Sequence, residues 1–201
     1  MTLARAIIVR RIAFCTAAGF CILSAAGSGA AQSKSKKTGP ETFNAKATVD
    51  SQAGRGDAHV TIRIDQYTPE KNLEVMERAL KSGGSSGFVT ELRRAPVAGR
   101  FELATQSFAI RWARQRDTDT GRTITAIVDK PVYFVGAGVP GAKSREGYDV
   151  AVIQLTMDSS GVGEGTMTAA ARIKPGGPTG VEVDAYETAP VKLRSVMKLI
   201  Q

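Results

Sequence analysis

The chain has 201 residues, with 27 Lys and Arg against 19 Asp and Glu, one His, two Cys and a formal net charge of +8. Both cysteines, Cys15 and Cys21, sit in an apolar stretch near the start, so the rest of the chain holds no disulfide, thiolate zinc site or cysteine nucleophile. The lone His59 excludes a two-histidine metal site.

The first residues have the anatomy of a secretory signal peptide, assigned to 1–31. Arg5, Arg10 and Arg11 precede a charge-free apolar run, Ile12 to Ala26, and Gly29-Ala30-Ala31 supplies small residues for cleavage. The run is shorter than the roughly 20 residues a membrane span needs. Phe14 and Phe20 precede the two cysteines, where lipidation would need a small residue. The leader carries three of the 27 basic residues and no acidic one, which leaves 24 against 19, or +5. The expectation is an exported protein, periplasmic or extracellular. Its basic charge suits an anionic envelope surface. Nucleic acid is not expected as a partner, because the basic residues are dispersed.

Residues 32–41 read as a disordered basic arm (QSKSKKT and its flank), and 42–201 as one β-rich domain. Thr42 to Asp50 is a first strand. Ala58 to Gln66 alternates Val60, Ile62 and Ile64 with His59, Thr61, Arg63 and Asp65, the pattern of a half-buried strand. Thr68-Pro69 then opens a helix, with Thr68 as N-cap and Pro69 at the first helical position. Leu73, Met76 and Leu80 recur at helical spacing, Gly83-Gly84 ends the run, and Phe88 to Arg94 forms a second short helix. The expectation is a helical hairpin over about 69–95, plugging or covering one end of the sheet. Glu74 with Arg78 and Glu77 with Lys81 are spaced as i,i+4 pairs.

Strands dominate from Arg100 onward. Ser107 to Arg116 places Phe108, Ile110 and Trp112 on one parity, together with Arg114 and Arg116; Arg111 falls on the other. Asp117 to Gly121 (DTDTG) is turn chemistry. Thr123 to Val135 (TITAIVDKPVYFV) alternates strongly, with Pro131 marking an edge, bulge or bend. Tyr148 to Asp158 is apolar on both parities and reads as a strand covered on both faces. Further alternation runs through Met167 to Ile173 and Val181 to Ala185. In the last strand Val191, Leu193, Met197 and Leu199 alternate with Lys192, Arg194 and Lys198. Short connections force antiparallel neighbours, so the expected fold is mainly β: an antiparallel barrel or sandwich with the helical insertion.

The stretch DKPVYFVGAGVPGAKSREGYDVAVIQL, with GEGTMTAAARIK and APVKLRSVMK, resembles a family of uncharacterised secreted bacterial proteins. The resemblance implies export and one domain, and no activity.

For chemistry, His59 shares the polar parity of its strand and reads as a solvated residue. The DTDTG turn lacks the further carboxylates of a calcium loop. GAGVPGAK (136–143) is followed by a strand where a phosphate loop needs a helix, and reads as a rim loop. Asp149, Asp129, Tyr133 and Tyr148 are the groups available for acid–base work, in no specific arrangement. The arginine-rich stretch is the most suggestive. Arg114 and Arg116 at a cavity mouth would hold a carboxylate or phosphate, with Phe108, Trp112 and Tyr133 lining the pocket. The alternative is a solvent-exposed strand end whose arginines pair with nearby carboxylates. The leading expectation is a non-enzymatic exported β-domain, with no catalytic residue, metal or cofactor, that binds a lipid or small anionic amphipathic ligand, or an envelope component. Its alternatives are a structural or protein-interaction domain with a filled core and, third, an isomerase or hydrolase.

Overall fold

The computed structural model describes residues 39–51, 54–132, 146–176, 180–186 and 190–200. The leader, residues 32–38 of the basic arm, Tyr133 and the loop 136–143 lie outside the described residues. Nine strands and one helical element follow in order: β1 (Glu41–Ser51), β2 (Gly54–Ile64), α1 (Glu70–Arg94), β3 (Gly99–Leu103), β4 (Gln106–Thr118), β5 (Gly121–Val128), β6 (Val150–Asp158), β7 (Val162–Pro175), β8 (Val181–Ala185) and β9 (Val191–Leu199). All pairings are antiparallel, in the order β6-β5-β4-β3-β2-β1-β9-β7-β8, and β6 also pairs β7. That last pairing closes eight strands into a barrel, with β8 attached to the far half of β7. Of barrel and sandwich, the fold is the barrel.

Inward positions are apolar and form register rows. Phe43, Ile62, Phe101 and Phe108 lie opposite one another on β1, β2, β3 and β4. The Phe101 and Phe108 rings are tilted, with centroids 6.0 Å apart. Ala45 and Ala47 give the bulky rows room, while Ile124, Ile153, Leu155, Met167, Leu193 and Val196 fill the opposite wall. Each large side chain so buried contributes about 1.5–3 kcal/mol. The outward positions of β9 and the first half of β7 include Lys192, Arg194, Glu164 and Thr166. Apolar inside and polar outside is the reverse of a membrane-spanning barrel.

The structure corrects the face of Trp112. A register shift between Ile110 and Trp112 on β4 makes Arg111 a bulge residue, and one extra residue inverts the parity of everything after it. Phe108 and Ile110 therefore face inward, while Trp112 joins Ile127, Val150, Val152, Ala171 and Ile173 in a second core on the outer wall. This is why Val150 to Ile153 is buried on both faces: Ala151 and Ile153 fill the barrel and Val150 and Val152 lie under the helix, while beyond them Gln154 and Thr156 are exposed.

The helical element covers that outer wall with Leu73, Met76, Leu80, Phe88, Val89 and Leu92, so it clothes the side of the barrel. It is broken at Gly84 (φ 61°, ψ −156°), the glycine that the sequence marks as a stop. Thr68 does not cap it. Its hydroxyl instead accepts the Ala113 N–H at 2.9 Å, while its own N–H donates to the Ala113 carbonyl at 2.8 Å, and Pro69 stands at the N-cap. The β2–α1 link is thereby sewn to β4 beside the bulge. Arg111 fastens the other end: it donates to Asp129 Oδ2 at 2.6 Å and to the carbonyl of Ala95, the helix C-cap, at 2.6 Å.

Gly87 reports how tightly the two halves of the helical element meet. A Cβ there would lie 2.6 Å from the Ala79 carbonyl oxygen. Gly87→Ala is expected to cost about 1–3 kcal/mol, the range of overpacking substitutions, seen as a lower urea midpoint with an unchanged slope. Gly83→Ala, with open space around its Cα, should not lower it.

Candidate functional site

The strand alternation places one polar concavity on the outside of the barrel. It is an open groove of about 740 Å³ across β5, β6, β7 and β9. Thr123, Gln154, Thr156, Glu164, Thr166, Lys192 and Arg194 line it, with Ser195 and the bare backbone of Gly163 and Gly165. Several of these side chains come from outward positions beside buried neighbours such as Ile124, Leu155, Met167 and Leu193, while Glu164 lies between Gly163 and Gly165. The glycines are required. A Cβ on Gly163 or Gly165 would collide with the Thr156 or Gln154 carbonyl of β6, so β7 can bend against β6 only without side chains there.

The other wall is set by β9. Between Arg194 and Met197 the register shifts against both β1 and β7, and Ser195 adopts φ 50°. A non-glycine residue in the left-handed region is strained by about 1–2 kcal/mol. The bulge corrects the expected parity of the last strand. Lys192 and Arg194 face out as expected, but Met197 and Leu199 also face out, and Lys198 turns inward opposite Phe43.

The groove is rich in unused polarity. Among the described residues, no hydrogen bond or ion pair engages the side chains of Lys192, Arg194, Glu164 or Thr166. Thr125, the cross-strand partner of Gln154, keeps a buried hydroxyl that also lacks a partner.

A second polar constellation closes the barrel end where β1 begins and β9 finishes. Glu41 is 2 % exposed, on the inward face next to Phe43. Arg122 donates to both its oxygens, at 2.9 and 3.1 Å, Lys198 donates to Oε1 at 2.7 Å, and the Tyr67 hydroxyl donates to Oε2 at 2.6 Å. Arg122 also donates to Gln115 Oε1 at 2.8 Å and lies over the Phe43 ring. Burial raises the Glu41 pKa, but the hydrogen bonds from Arg122, Lys198 and Tyr67 outweigh it and hold the carboxyl below its ordinary 4.5. Burial first, then the bond to Glu41, pushes the Tyr67 hydroxyl far up, so it stays a donor. All four groups are committed to one another, which makes this a seal.

The residues singled out from sequence do not converge. Phe108 is inside the barrel and Trp112 is under α1, on opposite sides of the wall. Arg114 faces outward and meets Glu70 and Glu77 of α1 at 3.6 and 3.7 Å, while Arg116 is exposed. Tyr133 lies outside the described residues. Of the pairs expected along the helix, Glu77 meets Arg114, and Arg78 donates to the Glu74 carbonyl. Asp129 is held by Arg111, Tyr148 packs at a tilt against Tyr186 with Arg172 over its ring, and His59 is exposed. The groove was missed because its cations lie far along the chain from the arginine-rich stretch; the pair Gly163 and Gly165 inside a strand was the available signal. No family model, curated protein or solved structure matches the chain.

Two outcomes follow. Because the folded-state pKa of Glu41 is depressed, its stabilisation is complete above about pH 4.5 and is lost as pH falls from there through the folded value. Acid titration of wild-type stability should show that slope and Glu41→Gln should lack most of it. At pH 7 the variant should be less stable by about 3 kcal/mol, since Arg122 is left without its carboxylate. Ser195→Gly relieves the strained φ and should raise stability by about 0.5–1 kcal/mol, the strain recovered less the added freedom of the unfolded glycine; chemical denaturation measures both.

Proposed function

We propose that the protein is an exported, non-enzymatic β-barrel that recognises an anionic envelope component in the β5–β6–β7–β9 groove, on the outside of its wall. The observation that carries this is the placement of Lys192 and Arg194, without side-chain partners among the described residues, in a groove of about 740 Å³, where they outnumber the carboxylate of Glu164 and adjoin the hydroxyls of Thr166 and Ser195. Cations and hydroxyls converging on one open concavity suit a phosphate or carboxylate. Among the described residues the lining holds no aromatic ring, which favours a polar, charged group over a flat apolar one. The filled interior argues against burial of an apolar tail within the barrel. Export rests on the leader anatomy of residues 1–31.

The rival reading is a structural or protein-interaction domain, which the same filled interior also favours. The two separate on a small anion. Titration of inorganic phosphate should shift the backbone NMR signals of Thr166, Lys192 and Ser195. The double variant Lys192→Ala/Arg194→Ala should weaken binding at least about tenfold, since each charged hydrogen bond contributes about 1.5–3 kcal/mol. Phosphate binding unchanged in the double variant, or no binding in the wild type, would favour the interaction domain.

A further inference from the structure

Five large apolar side chains stand out as exposed among the described residues: Val97, Val162, Met197, Leu199 and Ile200. Four of them gather at one end of the barrel. Val162 on β7 and Met197 on β9 are register partners, 47 % and 51 % exposed, and Leu199 follows Met197 on the same face at 40 %, with Ile200 beyond it at 99 %. The bulge at Ser195 is what turns Met197 and Leu199 outward, in line with Lys192 and Arg194. One strand thus presents two cations and then two apolar side chains on a single outer face.

Resting on the groove reading above, we propose that this end of β7–β9 is a membrane-docking tip: Val162, Met197, Leu199 and Ile200 enter the boundary region of a bilayer, while Lys192 and Arg194 hold the anionic head groups of its lipids. Two cations on this face, Lys192 and Arg194, stand against one groove carboxylate, Glu164, while Asp158 beside Val162 is bound into its own turn by the N–H groups of Ser160 and Val162; the positive balance of the groove commits the face to an anionic lipid surface. Shallow apolar insertion and basic side chains reinforce each other in interfacial binding, with each cation near the surface contributing about fivefold in affinity. A second copy of the chain fits less well. Four side chains on a convex barrel end fall short of the roughly 800 Å² per partner of a stable interface, and two such faces would bring Lys192 and Arg194 toward their own copies. Among the described residues no helix is long and apolar enough to cross a membrane, so the attachment is peripheral as far as α1 is concerned.

Protein purified from its own cells should sediment with phosphatidylglycerol-containing vesicles and not with pure phosphatidylcholine vesicles. Binding should fall at least about tenfold between 0.05 and 0.5 M salt, as screening shortens the reach of surface charges. Met197→Ser/Leu199→Ser and Lys192→Glu/Arg194→Glu should each reduce binding at least about tenfold, with thermal unfolding close to wild type because all four side chains are exposed. Every variant keeps the same N-terminus, so any contribution from residues 1–31 cancels in the comparison. Vesicle binding that survives both double substitutions overturns the proposal. So does a loss of self-association, seen by light scattering, without any vesicle binding, which assigns the face to a second copy. Phosphate binding in the groove without vesicle binding overturns the docking tip and leaves the groove reading standing; absence of both removes both.

Discussion

One extra residue in β9 organises this molecule's chemistry. In a regular strand Arg194 and Met197, three residues apart, would face opposite sides. The bulge at Ser195 puts them on the same side and does three things together. It sends Val196 inward against Gly163, it turns Lys198 inward to the Glu41 carboxylate, and it leaves Met197 and Leu199 outside. Without it, Lys198 would face water and Glu41 would lose one of its two cations. The ionic seal at the barrel end and the apolar strip on the outer wall are therefore two consequences of one backbone irregularity.

The seal matters because it closes one end of the barrel with buried charge. A carboxylate that is 2 % exposed is tolerable only with several donors, and Arg122, Lys198 and Tyr67 supply them. The rows behind it, from Phe43 to Phe108, occupy the barrel axis. An eight-stranded barrel has an interior just wide enough to be filled by side chains or to hold one small ligand. Among the described residues the interior is occupied by the buried core, and the polar concavity lies on the outer wall. One part of that wall is already clothed by α1, leaving the β5–β6–β7–β9 sector open.

Strand identity and the helical insertion were legible because alternation and glycine punctuation are local. Val60, Ile62 and Ile64, or the two-faced run Val150 to Ile153, declare their environment within a few residues. Glu41 was not singled out: the sequence reading begins the first strand at Thr42 and leaves Glu41 in the arm 32–41, although it shares the parity of the buried Phe43, Ala45 and Ala47. What the pattern could not reveal were the two bulges. Nothing in the composition around Arg111 or Ser195 announces an inserted residue, and each one inverts all later parities on its strand. Trp112 was for that reason grouped with Phe108, and Met197 with Leu193. Closure of the barrel was hidden for a different reason. It depends on β9 pairing with both β1, at the far end of the domain, and β7, a non-local step; the close approach of β7 to β6 leaves its local trace in the pair of glycines at 163 and 165.

The residue at the centre of the β9 bulge sharpens the functional argument. A left-handed backbone is cheapest for glycine, and this chain places glycine at several such points, Gly84 and Gly161 among them. Ser195 keeps a side chain where glycine would be more stable, and that side chain lines the groove between Arg194 and the glycine-bared backbone of β7. The bulge itself serves the seal, and Ala104 has a similar φ of 52°; what is particular to Ser195 is that its side chain stands in a surface concavity, beside two cations without partners among the described residues. The buried hydroxyl of Thr125, beside Gln154 at the opposite margin, is a second polar group without a partner among the described residues. Both costs fall along the same sector of wall, and contact with an anionic group there would give the serine hydroxyl the partner that the barrel does not provide.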